Sequence, residues 1–265
     1  MRNRKAGGGG TVAAPPLVYH ALLEVGPDGS TSAQVEELPG CFARAPARGA
    51  ALEKLAKSLA AHLAWLRGAG EEAPARGQRL ALEPAEEVRV GCDVREGDSE
   101  ALFACDLTPA TGEWMDRGLR LLDRSREALL ASVEDLPDGA LDAVDEARRR
   151  ATFYGDAPCT IREVLTHIGK TEGWYATRLE TPEAAARTLE RLKLLASRTR
   201  DAFDLLDTMR TVAAGRLCRL GDPERARKLL HAGEAWTARK VLRRLAYHER
   251  LHGRSIMKIR KRLGL

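Results

Sequence analysis

Two histidines stand four residues apart in the run Tyr247-His248-Glu249-Arg250-Leu251-His252. On an α-helix, residues at i and i+4 lie one above the other, so both imidazoles face the same way and can share one ion. Advancing ~100° per residue from Val241 puts Leu245 at ~40°, His248 at ~340°, His252 at ~20°, Ile256 at ~60° and Ile259 at ~0°. The pair therefore sits in the middle of a stripe that faces a core. Imidazoles placed there need partners for their ring nitrogens, because an unpaired buried polar group is costly. A divalent cation satisfies both at once. Hydrogen bonds within the core are the alternative, and the spacing alone leaves the two open. A third ligand has to come from another helix, and His167, within Thr160 to Leu179, is the candidate. Three neutral imidazoles leave one or two positions for water or substrate, as a catalytic metal site requires, and zinc and nickel both accept such ligands. Trp174, Tyr175 and Trp236 are available to wall such a pocket, or to pack as ordinary core. Glu249 falls at ~80°, outside the histidine pair, which predicts a salt bridge rather than a general base.

The helices that must carry these residues are legible from their ends. Thr160-Ile161-Arg162-Glu163 has the capping-box pattern and opens a helix to about Leu179. Thr181-Pro182-Glu183 opens another, predicted to run unbroken to about Met209, and Asp222-Pro223-Glu224 opens a short one. Thr237 caps the last helix, which can reach Arg262, and an earlier helix spans Pro109 to Leu136. Four long helices in about 150 residues predict a bundle.

The first hundred residues read differently. Leu17 to Val25 and Thr31 to Leu38 predict a hairpin around Pro27-Asp28-Gly29, and a short segment, Cys41 to Ala45, follows. Ala47 to Arg67 has a helical apolar stripe, and Glu87 to Val94 and Ala101 to Asp106 predict further short strands. The fold class expected is therefore α+β in two domains: a leader over residues 1–16, a small mixed domain over 17–106 and a helical bundle over 107–265.

Composition excludes several classes. No apolar run approaches the ~20 residues of a membrane-spanning helix, and the basic start with Gly7 to Gly10 lacks a secretory signal's apolar core, so a cytoplasmic location is expected. Five widely spaced cysteines without a C-x-x-C pair indicate neither a disulfide framework nor a cysteine zinc site. From Pro223 to Leu265 there are 13 Lys and Arg against 3 Glu. With no aromatic or Gly-rich nucleic-acid motif beside it, that run reads as a solvated basic helix face, and a nucleic-acid partner is not expected. An exposed sheet edge in the first domain would permit a homodimer.

The segments TIREVLTHIGKTEGWYATRL (160–179) and WTARKVLRRLAYHERLHGRSI (236–256) together resemble the DinB-like metal-binding four-helix bundles, a superfamily that includes mycothiol-dependent maleylpyruvate isomerases and bacillithiol transferases. The resemblance covers about Pro109 to Leu265. It implies a divalent metal, zinc or nickel, on His167, His248 and His252, and a metal-dependent thiol transferase or hydrolase acting on a small-molecule substrate. A low-molecular-weight thiol would be its cofactor. A second resemblance is carried by Leu38-Pro39-Gly40-Cys41-Phe42 followed by Ala50, Ala51, Leu52, Lys54, Leu55 and His62 to Leu66, which look like the HicB-like fold. It covers about Leu17 to Val94. The other functional class left open is a non-catalytic protein- or RNA-interaction module in which the histidines are structural.

Overall fold

The computed structural model describes residues 15–152 and 155–265, so the expected leader lies outside them except for Pro15 and Pro16. Strands β1 (Leu17–Val25), β2 (Thr31–Val35) and β3 (Phe42–Ala45) form an antiparallel meander. Helix α1 (Arg48–Gly68) then crosses over, and β4 (Leu80–Arg89) returns parallel to β1, giving the order β3-β2-β1-β4. The β1–β2 turn is held by Asp28, whose Oδ1 accepts from the Ser30 amide (3.1 Å) and hydroxyl (2.6 Å). Alternation selects the face: Tyr19, Ala21, Leu23, Ala33 and Val35 pack on Leu55, Leu59, Leu63 and Leu66 of α1. Leu22 points the other way and meets Ala101 and Phe103, so the sheet is covered on both sides.

Two expectations need correction here. The strand predicted over Glu87 to Val94 begins earlier, at Leu80, and pairs with β1 along its length despite Pro84, with a register shift between Ala21 and Leu22 absorbing the irregularity. The strand predicted over Ala101 to Asp106 is absent. A one-turn helix, α2 (Ala104–Leu107), takes its place, because the Asp106 carboxylate accepts from the Phe103 amide at 3.0 Å and is clamped by Arg243.

The chain continues as α3 (Gly112–Ala131), α4 (Asp138–Leu141), a 3-10 turn (Glu146–Arg148) and a minimal hairpin, β5 (Ala151–Thr152) with β6 (Gly155–Asp156). Then come α5 (Ile161–Thr177), α6 (Pro182–Arg198), α7 (Ala202–Cys218), α8 (Asp222–Arg225), the hairpin β7 (Leu229–His231) with β8 (Glu234–Trp236), and α9 (Ala238–Leu263). The single helix predicted from Thr181 to Met209 is two. Asp201 accepts from the amides of Phe203 (2.8 Å) and Asp204 (3.0 Å), a side-chain cap that starts α7 and ends the continuity. Helices α3, α5, α7 and α9 form the bundle, and α6 lies outside, packing Leu192 on Leu205 and Met209 of α7.

The bundle encloses two apolar clusters. One gathers Met115, Leu122, Tyr175, Trp236, Val241, Leu242 and Leu245; the other Leu129, Val164, Leu165, Ile168, Leu206, Ile256 and Ile259. A buried square of charges crosses the middle, one residue from each helix: Arg126 (α3), Glu172 (α5), Arg210 (α7) and Glu249 (α9). Arg126 reaches Glu172 at 2.7 Å and Glu249 at 3.0 Å, and Arg210 bonds both glutamates. Glu249 thus forms a salt bridge, as its wheel position predicts, and forms it between helices.

The reading of the C-terminal basic run as a solvated face is corrected by its arginines, which tie α9 to its surroundings. Arg243 pairs with Asp106 at 2.6 Å, Arg260 with Asp135 at 2.8 Å, and Arg262 with Asp145. Arg250 donates from Nε to the Gly40 carbonyl (3.1 Å) and lies 4.1 Å over the Trp65 ring, while Arg254 donates to the Phe42 carbonyl (3.1 Å) and lies over the Phe42 ring. Gly40 has φ +85°, and a Cβ there would stand 2.7 Å from Arg250 Cδ, so the Pro39-Gly40-Cys41 turn needs its glycine for conformation and for contact. The sheet layer and the bundle are thereby joined through α9. Among the described residues, no helix is long and apolar enough to cross a membrane.

Candidate metal centre

The histidines arrive on two helices whose starts are fixed by side-chain caps. At the head of α5, Thr160 Oγ1 accepts from the Glu163 amide (3.0 Å), and the Glu163 carboxylate accepts from the amides of Thr160 (3.1 Å) and Cys159 (2.7 Å). At the head of α9, Thr237 Oγ1 accepts from the Lys240 amide (3.1 Å). The two helices run antiparallel, so His167 of α5 comes opposite His248 and His252 of α9, while Tyr175, two turns along α5, comes opposite the start of α9.

The three imidazoles converge. Ring centroids lie 4.4 Å apart for His248 and His252, 4.6 Å for His167 and His252, and 5.0 Å for His167 and His248. One ring nitrogen from each falls within 4.8 Å of the others, and the Nε2 atoms of His167 and His248 are 3.1 Å apart. Two nitrogens on one tetrahedral zinc, with Zn–N of about 2.0–2.1 Å, would be roughly 3.3 Å apart. The Nδ1 of His252 is buried and has no hydrogen-bond partner. A donor set of three imidazoles with an orphaned buried nitrogen is what a borderline-soft divalent cation accepts, so the residues present fit zinc or nickel.

The surroundings keep these rings neutral. Burial pushes His248 well below the usual histidine range, helped by His252, His167 and Arg244. Burial likewise pushes His252 well down, with His167, Arg148 and Arg44 adding to it. His167 is lowered by burial, then by Lys170 and Arg148. A neutral imidazole has the lone pair a metal needs, so no proton has to be displaced for binding near neutral pH.

The three aromatic residues named from the sequence lie together at one end of this cluster. Tyr175 and Trp236 are buried and Trp174 is half-buried. Trp174 meets Trp236 edge-on at 5.5 Å and Tyr175 at 5.1 Å, and the Tyr175 ring is 5.9 Å from that of His248. Tyr175 therefore borders the histidines directly, whereas Trp236 belongs to the apolar cluster behind it. Sequence reasoning missed the cations around the site. Arg244 carries a signal, standing one turn before His248 on the same helix. Arg148 and Arg44 come from a 3-10 turn and from β3, and no local pattern places them there.

Among solved structures, TT2238, a four-helix bundle protein, is 23% identical, with 54% of this chain and 98% of that chain covered at a TM-score of 0.38. YfiT from Bacillus subtilis, described as a probable metal-dependent hydrolase with an unusual four-helix bundle topology, is 20% identical, with 63% and 93% covered at a TM-score of 0.41. No curated protein matches. The model of the DinB superfamily matches residues 121–256, a span that begins within α3, takes in all three histidines and leaves the sheet layer outside. That span is more than half of the 265 residues, and the chain belongs to the DinB superfamily.

Proposed function

We propose that this chain holds one zinc or nickel ion on His167, His248 and His252 and acts as a metal-dependent thiol transferase or hydrolase on a small substrate. The observation that supports this most is the convergence of three imidazoles from two helices; one of the three, that of His252, also carries a buried Nδ1 without a partner. When bound, the ion would lower the pKa of a coordinated thiol or water and supply a nucleophile at neutral pH. The chain's own residues have three tasks. Burial and the surrounding cations keep the imidazoles unprotonated. Tyr175 packs against the His248 ring and limits its rotation, while Trp174 and Trp236 exclude water on that side. The Glu249 carboxylate, engaged by two arginines, anchors the helix that carries the pair.

We read the sheet layer as HicB-like, on its strand–strand–strand–helix–strand order and the Pro39-Gly40-Cys41 turn. No reactive thiol is assigned to Cys41, because burial pushes it up to about 12.

Cobalt substitution tests the proposal and separates its two chemistries. Uptake of one cobalt per chain with visible absorption is expected. A near-ultraviolet thiolate-to-cobalt band on adding 2-mercaptoethanol would favour thiol transfer, and cobalt without that band would favour hydrolysis. A protein that takes up no cobalt would overturn both and leave hydrogen-bonded core histidines in a non-catalytic module.

A further inference from the structure

Arg244 stands one helical turn before His248 on α9 and is only 7% exposed. Its Nη2 donates to the Tyr175 hydroxyl at 2.7 Å, and the same tyrosine ring packs on His248. The guanidinium lies 5.5 Å from the ring centres of both Tyr175 and Tyr247. Its Nε and Nη1 are buried and have no hydrogen-bond partner. Two carboxylates share its neighbourhood, Glu24 on β1 and Asp98 ahead of α2, and neither bonds to it. Glu24 instead accepts the amides of Glu100 (2.6 Å) and Ala101 (2.9 Å) on one oxygen and leaves the other bare.

A guanidinium cannot shed its charge, and its buried N–H groups are costly without acceptors. Buried donors in folded proteins nearly always have partners, so unpaired N–H groups beside a candidate centre call for one. The charged side chains whose electrostatics act on the histidines have one sign: Lys170 and Arg148 on His167, Arg148 and Arg44 on His252, and Arg244 on His248. A divalent cation would add to that sign, and an anionic guest would offset it where Glu24 and Asp98 make no bond to Arg244.

We propose that Arg244 binds a carboxylate of the small molecule whose reacting end lies at the three-histidine centre, so that the substrate or co-substrate is a carboxylic acid. The planar guanidinium matches a carboxylate in shape and charge, and the Tyr175 bond fixes its orientation. One helical turn, about 5.4 Å, separates Arg244 from His248 along α9, which suits a short acid spanning both. The inference rests on the metal reading above and adds to it the class of molecule bound.

Calorimetric titration of the zinc-loaded full chain with succinate and with succinamide tests it. The wild type is expected to bind succinate at least tenfold more tightly than succinamide. Arg244→Gln is expected to weaken succinate at least tenfold and leave succinamide unchanged, with zinc still at one per chain. Arg244→Lys is the second variant should the glutamine fail to fold. It keeps the charge but loses the planar fork, and a loss of threefold or more for succinate alone is expected. Succinate affinity unchanged in a variant holding one zinc would overturn this inference and leave the metal site standing, as would equal affinity of the wild type for both probes. Failure of the wild type to hold zinc would overturn the metal reading and this inference with it.

Discussion

Glu249 sits next to the metal-ligand candidate His248 in sequence, yet the structure gives it a different task, and Glu249→Gln separates the two. Its Oε2 accepts from Arg126 (Nε 3.2 Å, Nη2 3.0 Å) and Arg210 (2.5 Å), while Glu172 closes the square with the same two arginines. The arrangement is two cations and two anions, neutral as a set, with both glutamates 3% exposed. Removing one charge leaves two buried guanidinia against a single carboxylate. Breaking a buried pair in this way costs about 3–5 kcal/mol, because the surviving charge is uncompensated. For a chain of this size that corresponds to a fall in Tm of roughly 6–20 °C. Glu127→Gln is the control: its pair with Arg124 on α3 is exposed, and such pairs contribute about 1 kcal/mol or less. Urea unfolding followed by circular dichroism reads both variants, and metal content at low temperature reads the site. Glu249→Gln is expected to be much less stable while the folded fraction still binds metal. A variant within 1 kcal/mol of wild type that has lost its metal would instead place Glu249 in the metal centre.

Other expectations concern packing and pH. His62 of α1 is 2% exposed with both ring nitrogens unpartnered, and burial pushes it down to about 3 against about 6.5 in the unfolded chain. Between those values the unfolded chain binds a proton that the native one does not, so stability falls as pH falls, by about 1.4 kcal/mol per unit. His62→Leu removes this dependence, and denaturation at pH 7 and pH 5 should show the difference between variant and wild type moving about 2 kcal/mol in the variant's favour; a constant difference contradicts it. Gly118 of α3 faces Leu242, and an added Cβ would stand 2.4 Å from Leu242 Cδ1. Gly118→Ala should cost about 1–3 kcal/mol in thermal or urea unfolding, and a neutral result would mean the two helices are free to separate.

The legible parts of the sequence were those with local causes. The capping box at Thr160 and the threonine cap at Thr237 mark helices that the structure contains, and the i, i+4 spacing of His248 and His252 puts both rings at one place. His167 was reachable because its helix was. The split between α6 and α7 is hidden in the sequence, because Leu205, Leu206 and Met209 continue an apolar pattern across a break that the Asp201 cap enforces. The helix at Ala104 reads as a strand from local sequence because its stabilising partner, Arg243, lies far along the chain. The same non-locality hides the use of the basic run: composition reports 13 cations, but whether each meets water, a ring or a carboxylate is decided by the sheet layer opposite.

Metal content of the untagged purified protein, beside the His248→Ala/His252→Ala double variant, shows whether the three histidines hold an ion. About one zinc or nickel per chain in the wild type, lost in the double variant together with the stabilisation that binding gives the native state, is the predicted result. A wild type that is metal-free as purified, takes up neither ion on addition and keeps its Tm in the presence of a chelator would contradict it.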